Sequence, residues 1–293
     1  MAESEVLVMR SAISLLLVSG LGIVTLAAQE MKPAPVLSIQ RESIKEGRSA
    51  AHEKVEAEWA ATARKVNFPQ HWVAYSALSG TPEVWFVEPM ASFVAAEENA
   101  KAADKEPAKS AFAMLDSRDG ELRSASRAMW AVYREDLSYR PEKFNPAKAH
   151  YVEVSTFRTR LGRGQDFSQG ARQYMGAMAK GNVDLCLLAY QVVAGAPDGT
   201  YLYVTMMDSL KVMDGAPERS KTIMDAMGPE TLSAFMKGMG DVIASIEDTL
   251  FEAKPGMSYS PKELIDGDPA FWKPKPAPKP APATGAAPAD SKK

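Results

Sequence analysis

The sequence predicts an α+β protein in which two copies of a β-α-β-β-α-β unit share one chain of 293 residues, sheet packed against sheet. Three observations carry that prediction. Residue clusters recur about 117 positions apart: Ala74-Tyr75 before Gly80 returns as Ala189-Tyr190 before Gly195, and Ser138-Tyr139 before Pro141 returns as Ser258-Tyr259 before Pro261. Val87, Met90 and Ser92 match Val204, Met207 and Ser209, while Arg41 and Gly47 match Arg158 and Gly164. Second, alternating runs and helical periodicities follow one another in the same order in both copies. Third, residues 185–194 are nearly continuously apolar, the pattern of a strand covered on both faces. Helices can cover one face of such a sheet, and the sheet of the other copy is expected to cover the second.

Residues 1–28 stand apart. Arg10 precedes an uncharged run at 12–28, closed by Thr25, Ala27 and Ala28 before Gln29-Glu30, which is the layout of a cleaved signal peptide. No stable membrane span is expected after cleavage, and the setting would be periplasmic or secreted. A short linker follows at 29–35. In the first unit, 36–145, residues 36–44 read as a strand, with Leu37 and Ile39 alternating against Ser38 and Gln40. Gly47 ends it, and Val55, Trp59, Ala63 and Val66 form the stripe of a helix over 50–66. Strands are expected at 72–78 and 84–87 around the turn Ser79-Gly80-Thr81-Pro82, then helices at 91–103 and 121–135. The charged segment 104–109 reads as a loop. A short edge strand at 137–139, before Pro141, closes the unit.

The second unit, 146–265, repeats this order. Strands are expected at 151–159, 185–194 and 201–207, helices at 167–179 and 231–253, and a closing strand at 257–259. Residues 266–293 form a Pro/Ala/Lys-rich tail, read as an extended, solvated spacer able to contact envelope components.

Each unit therefore has the ferredoxin-like order. Over roughly residues 36–265 the chain resembles the dimeric α/β-barrel superfamily, with both halves fused in one polypeptide. The resemblance rests on element order and internal repetition. It implies kinship with cofactor-free monooxygenases, stress-responsive proteins and haem enzymes such as chlorite dismutases. Haem ligation of that kind would need an axial histidine in the C-terminal half. His150 is the last histidine and precedes the strand, so no haem, and no other cofactor, is expected.

Composition narrows the partners. Hydrophobic residues make up 46% and charged residues 24%, enough for a sizeable core, and the formal charge of −3 comes without a basic stripe, so nucleic acid is not expected. Cys186 is the single cysteine and sits between leucines, as a small buried hydrophobe does. His52, His71 and His150 lack metal-ligand spacing and no metal site is expected. Gly162-Arg163-Gly164 is not a phosphate loop, since Phe167 stands where a third glycine belongs.

Strand parity turns Arg41 and Arg158 toward otherwise apolar faces, where a guanidinium could hold a carboxylate or tie strand to helix through Glu46 or Asp166. Tyr75 and Tyr190 are repeat equivalents, and with Trp72, Trp85, Tyr201 and Tyr203 they are expected to form an aromatic binding wall. His71 is the candidate general base. Three readings follow: non-catalytic binding of a small apolar or weakly acidic molecule, cofactor-independent oxygenation, and a structural role in the cell envelope. The first leads, because no residue set spells a reaction.

Overall fold

The computed structural model describes residues 31–273. The expected signal peptide at 1–28, the first residues of the linker and the tail beyond 273 lie outside the described residues. The first half contains strand β1 (Val36–Ile44), helix α1 (Ser49–Val66), β2 (Val73–Ala77), β3 (Glu83–Met90), α2 (Phe93–Ala103), α3 (Ala108–Gly120) and β4 (Arg123–Tyr133). The second contains β5 (Tyr151–Thr159), α4 (Gly164–Lys180), β6 (Leu187–Ala194), β7 (Thr200–Met207), the short α5 (Lys211–Asp214), α6 (Ala216–Met227), α7 (Pro229–Val242) and β8 (Ile243–Ala253). Two short helices end the described chain, α8 (Lys262–Gly267) and α9 (Pro269–Trp272). The segment assigned to the tail thus begins inside the fold: Trp272 is buried and its indole donates to the Ala147 carbonyl at 2.7 Å.

The expectation of two ferredoxin-like units packed sheet to sheet is overturned. The eight strands form a single closed antiparallel barrel in the order β1-β3-β2-β8-β5-β7-β6-β4. The halves meet edge to edge, β2 against β8 and β6 against β4. Closure removes every free sheet edge, which stacked sheets would have left open. Periodicity hides it: the sequence predicts helices over 121–135 and 231–253, whereas β4 occupies the first span and, in the second, the helix α7 gives way to β8 at Ile243. Leu122, Ala125, Met129 and Val132 do fall at helical spacing, but the buried positions of β4 are Met129 and Ala131, at period two. In β8 they are Thr249, Phe251 and Ala253. Each of these strands is 11 residues long, whereas the expected closing segments at 137–139 and 257–259 make only isolated bridges, Tyr139 to Leu187 and Trp72 to Tyr259.

The barrel is filled, not hollow. Ile39, Tyr75, Trp85, Val154, Tyr190 and Phe251 belong to one buried interior cluster. Its order maps onto itself when every strand number rises by four, so the halves are related by a pseudo-twofold axis. Irregularities in pairing fix the equivalence: one falls between Ser43 and Ile44 in β1, the other between Arg158 and Thr159 in β5. Ser43 therefore corresponds to Arg158, Glu42 to Phe157 and Arg41 to Thr156. The match of Arg41 with Arg158 read from sequence slips by two residues.

The strongest repeat motifs turn out to be where the halves hold each other. Ser138 accepts the Ala189 amide at 2.9 Å and donates to the Arg134 carbonyl at 2.8 Å. Ser258 accepts the Ala74 amide at 3.0 Å and donates to the Lys254 carbonyl at 2.8 Å. Ala74 and Ala189 have no exposed surface at all, so a larger side chain would push the clasp apart. Gly80 and Gly195 turn the two hairpins with φ of 77° and 83°, a conformation that favours glycine.

Among the helices not expected from sequence, α3 and α6 share one reason. α3 buries only Ala108, Leu115 and Asp119, and α6 buries only Ile223. A helix that covers little apolar surface leaves little periodicity to read.

Candidate functional site

Between the outer face of β5, β7 and β8 and the helices α4, α6 and α7 lies a cavity of about 650 Å³. Its origin is local. Phe157 and Tyr203 project outward from the strands and Phe167, Ala171 and Met178 project from α4, so the floor and one wall are apolar. The opposite wall is thin, because α7 buries Val242 alone and α6 buries Ile223 alone. Gly240 and Ala171 leave room where larger side chains would fill it. Met236 and Ile246 also line the cavity and are 60% and 52% exposed, marking its mouth.

A few polar side chains are among the residues around this apolar space. The Tyr203 hydroxyl is buried and finds no hydrogen-bond partner among the described residues. Burial, followed by the neighbouring Tyr201, raises its pKa and keeps it protonated. Glu153 and Arg219 line the same cavity. Burial, followed by the nearby Asp248, raises the Glu153 carboxyl above its ordinary value, while Arg219 works against the rise. Volume, lining and sparse polar groups match what a small-molecule pocket needs.

The mirrored place in the first half is built from opposite chemistry. There Glu42, His52, Glu56, Asp119 and Arg123 stand where the second half has Phe157, Phe167, Ala171, Met239 and Ile243, all of which line the cavity. His52 Nε2 lies 2.9 Å from Glu42 Oε2, 3.4 Å from Asp119 Oδ1 and 3.9 Å from Glu56 Oε1. Arg123 closes the cluster at 2.6 Å from Glu42 Oε1 and 2.9 Å from Asp119 Oδ2. The four acid and imidazole groups are all buried. Burial, then the charges of Asp119 and Glu42, push the Glu56 carboxyl up to about 9. Of the described residues, these four could hold a metal ion. Beside them the layer is tightly filled, with Trp59 stacked on Phe112 at 4.9 Å and Phe68 edge-on to Phe112 at 5.1 Å.

The residues picked from sequence do not converge on one pocket. Tyr75, Trp85 and Tyr190 are inside the barrel, Trp85 against Phe251 at 4.8 Å and Tyr190 donating to the Ala34 carbonyl at 3.2 Å. Arg41 is also directed inward, but it is engaged by Glu83, with Nη2 3.0 Å from Oε1, and lies over the Trp85 ring at 4.6 Å. Its ion-pair partner is thus Glu83, not Glu46. Arg158 is exposed at the end of β5. Trp72 lies outside the barrel, its indole donating to the Met257 carbonyl at 2.9 Å.

Tyr201 and Tyr203 are in the second half. Tyr201 stacks on Phe167 at 4.6 Å and faces a neighbouring polar cleft with Arg134, Arg172 and Gln191. Tyr203 alone of the expected set lines the cavity. His71, the candidate base, stacks on Tyr259 at 4.2 Å beside the first-half clasp, and its Nδ1 is 3.1 Å from the Tyr259 carbonyl oxygen. Glu153, Arg219 and the buried partners of His52 were missed. Parity gave the one usable signal, since Glu42 faces outward from β1, toward the helices and away from Arg41.

No protein-family model matches the chain, and no curated protein matches it in sequence. Among solved structures it resembles an anthrone oxidase-like protein at 12% identity and a TM-score of 0.50, over 80% of this chain and 96% of that one. It is also similar to a candidate monooxygenase from Lactobacillus acidophilus (7% identity, TM-score 0.46, 75% and 94% covered). A mutant chlorite dismutase from Candidatus Nitrospira defluvii is comparable (8%, 0.45, 80% and 96%). These neighbours have the dimeric α/β-barrel fold. At such identities the likeness concerns the fold alone, and of these three the anthrone oxidase-like protein has the highest TM-score.

Proposed function

We propose that the protein binds one small molecule in the second-half cavity, a molecule with a largely apolar body and one hydrogen-bonding or weakly acidic group, without transforming it. The observation that carries this is an apolar space of about 650 Å³, lined by Phe157, Phe167, Met178 and Tyr203, that α6 and α7 leave unfilled. The apolar lining would supply most of the affinity. His71, the group considered for base catalysis, belongs to the other half, so the binding reading is preferred to oxygenation.

The uncharged run at 12–28 supports a periplasmic or secreted setting for this binding, and the Pro/Ala/Lys-rich C-terminus supports a tether to envelope components. Among the described residues, no helix is long and apolar enough to cross a membrane.

Titration of the full chain with 1-naphthol, followed by calorimetry, tests the reading. One molecule is expected to bind per chain, and Ala171→Trp, which fills the cavity, should abolish binding while the far-ultraviolet circular dichroism stays unchanged. Absence of saturable binding, or equal binding by the filled variant, would refute it.

A further inference from the structure

We propose that Glu42, His52, Glu56 and Asp119 form a binding site for one divalent transition-metal cation in the first half. The geometry comes first. One donor atom from each residue lies within 4.8 Å of all the others. From His52 Nε2 the three carboxylates stand at 2.9, 3.4 and 3.9 Å. Donors bound to a common ion at roughly 2.1 Å are spaced roughly 3.0–3.5 Å when adjacent and about 4.2 Å when opposed. The three distances from His52, 2.9 to 3.9 Å, lie close to that range, so small side-chain adjustments would seat an ion.

A second observation points to an occupant. Asp119 is 2% exposed, and its Oδ1 has no hydrogen-bond partner among the described residues although it is turned toward the His52 ring. An Nε2–H on that ring is directed to Glu42 at 2.9 Å and cannot serve two carboxylates. A cation at the centre would take both oxygens and the ring nitrogen at once.

Arg123 supports this arrangement from outside. It binds the outer oxygens, Glu42 Oε1 at 2.6 Å and Asp119 Oδ2 at 2.9 Å, which leaves Oε2 and Oδ1 turned inward. Held outer atoms that aim inner ones are the usual surroundings of a metal ligand. Charge agrees as well. Three carboxylates face one guanidinium, and a single dication neutralises the group, which a buried cluster requires. One imidazole and three carboxylates suit Mn²⁺, Fe²⁺ or Zn²⁺ better than Ca²⁺ or Mg²⁺, which prefer oxygen alone. The ion would tie β1, α1 and α3 together. Its approach runs past Arg123, whose side chain is 17% exposed, and Asp116 at the surface, 69% exposed.

Full-length protein stripped with EDTA and then dialysed against ZnCl₂ or MnCl₂ tests the site. Uptake of one equivalent per chain is expected, with a rise in Tm that EDTA reverses. Glu56→Gln, nearly isosteric, should weaken uptake at least ~100-fold, since even the loss of an outer partner costs about 10–100-fold. X-ray absorption at the zinc edge of the wild-type protein needs no variant, and should show one nitrogen and three oxygen neighbours. No stoichiometric uptake, uptake unaffected by Glu56→Gln, or a sulfur neighbour from Cys186 would each overturn the proposal.

Discussion

The two halves of the barrel carry the same scaffold to the same place and then diverge. Five positions between helix and sheet read Glu42, His52, Glu56, Asp119 and Arg123 in the first half and Phe157, Phe167, Ala171, Met239 and Ile243 in the second. Charges buried together must satisfy one another within hydrogen-bond distance, so the first set draws α1 and α3 onto the sheet. Apolar groups carry no such obligation. The second set lets α6 and α7 stand off, with one buried residue each, and a cavity remains. A duplicated backbone therefore fixes where a site can be, and the residues facing inward decide whether it is a cluster or a void.

The largest expected effect breaks the charged side of this comparison. Arg123→Met leaves Glu42 and Asp119 without their cation and should cost about 3–5 kcal/mol, as other broken buried pairs do. Ile243→Ala, at the mirrored position beside the cavity, should cost roughly 1 kcal/mol, because the space there is already loose. Urea unfolding of both variants compares them. Similar losses would mean that the two sites are not organised differently.

A second contrast is a pH dependence that is stronger in the first half than in the second. With EDTA present, Glu56 keeps its proton up to about pH 9 in the folded chain but only to its ordinary value of 4.5 when unfolded. Between those values the folded state holds the extra proton, so stability is greatest at the acid end and falls as pH rises. Glu56→Gln should flatten that slope. A slope that persists in the variant would place its origin elsewhere.

The clasp residues should behave alike despite these differences. Ser138→Ala and Ser258→Ala each leave a buried amide without its acceptor and should cost about 1–3 kcal/mol. The two values should agree within roughly 0.5 kcal/mol if the positions are equivalent. Chemical denaturation reads both, and a wide disparity would show that one junction dominates closure.

The smallest effect concerns the cavity alone. Tyr203→Phe removes a hydroxyl that has neither a partner nor surface open to the cavity, so stability should hold or rise slightly, while affinity for 1-naphthol should stay unchanged. Calorimetry on the variant decides it. Marked destabilisation would mean the hydroxyl already has a structural role.

These contrasts explain what the sequence could and could not show. The repeat was legible because Ser138, Ser258, Ala74 and Ala189 are constrained by the clasp, which works identically in both halves. Barrel closure was not, because β4 and β8 place Ala125, Met129, Ile246 and Leu250 at spacings that also suit a helix. The aromatic wall was misjudged for a related reason. Alternation says that Tyr75 and Tyr203 each leave the sheet on a definite side, but not which side is interior, and the two rings occupy different compartments. The His52 cluster draws on β1, α1, α3 and β4, residues up to 81 apart in sequence. Only the folded backbone brings such partners together. Arg41 satisfied the parity argument and proved to be held by Glu83, an ion pair between strands that no local pattern announces.

The most direct test is a crystal structure of the full chain grown with 1-naphthol. Density for one molecule is expected between β5, β7 and α4, and none between β1, β3 and α1. An unoccupied second half, or a ligand seated in the first, would contradict it.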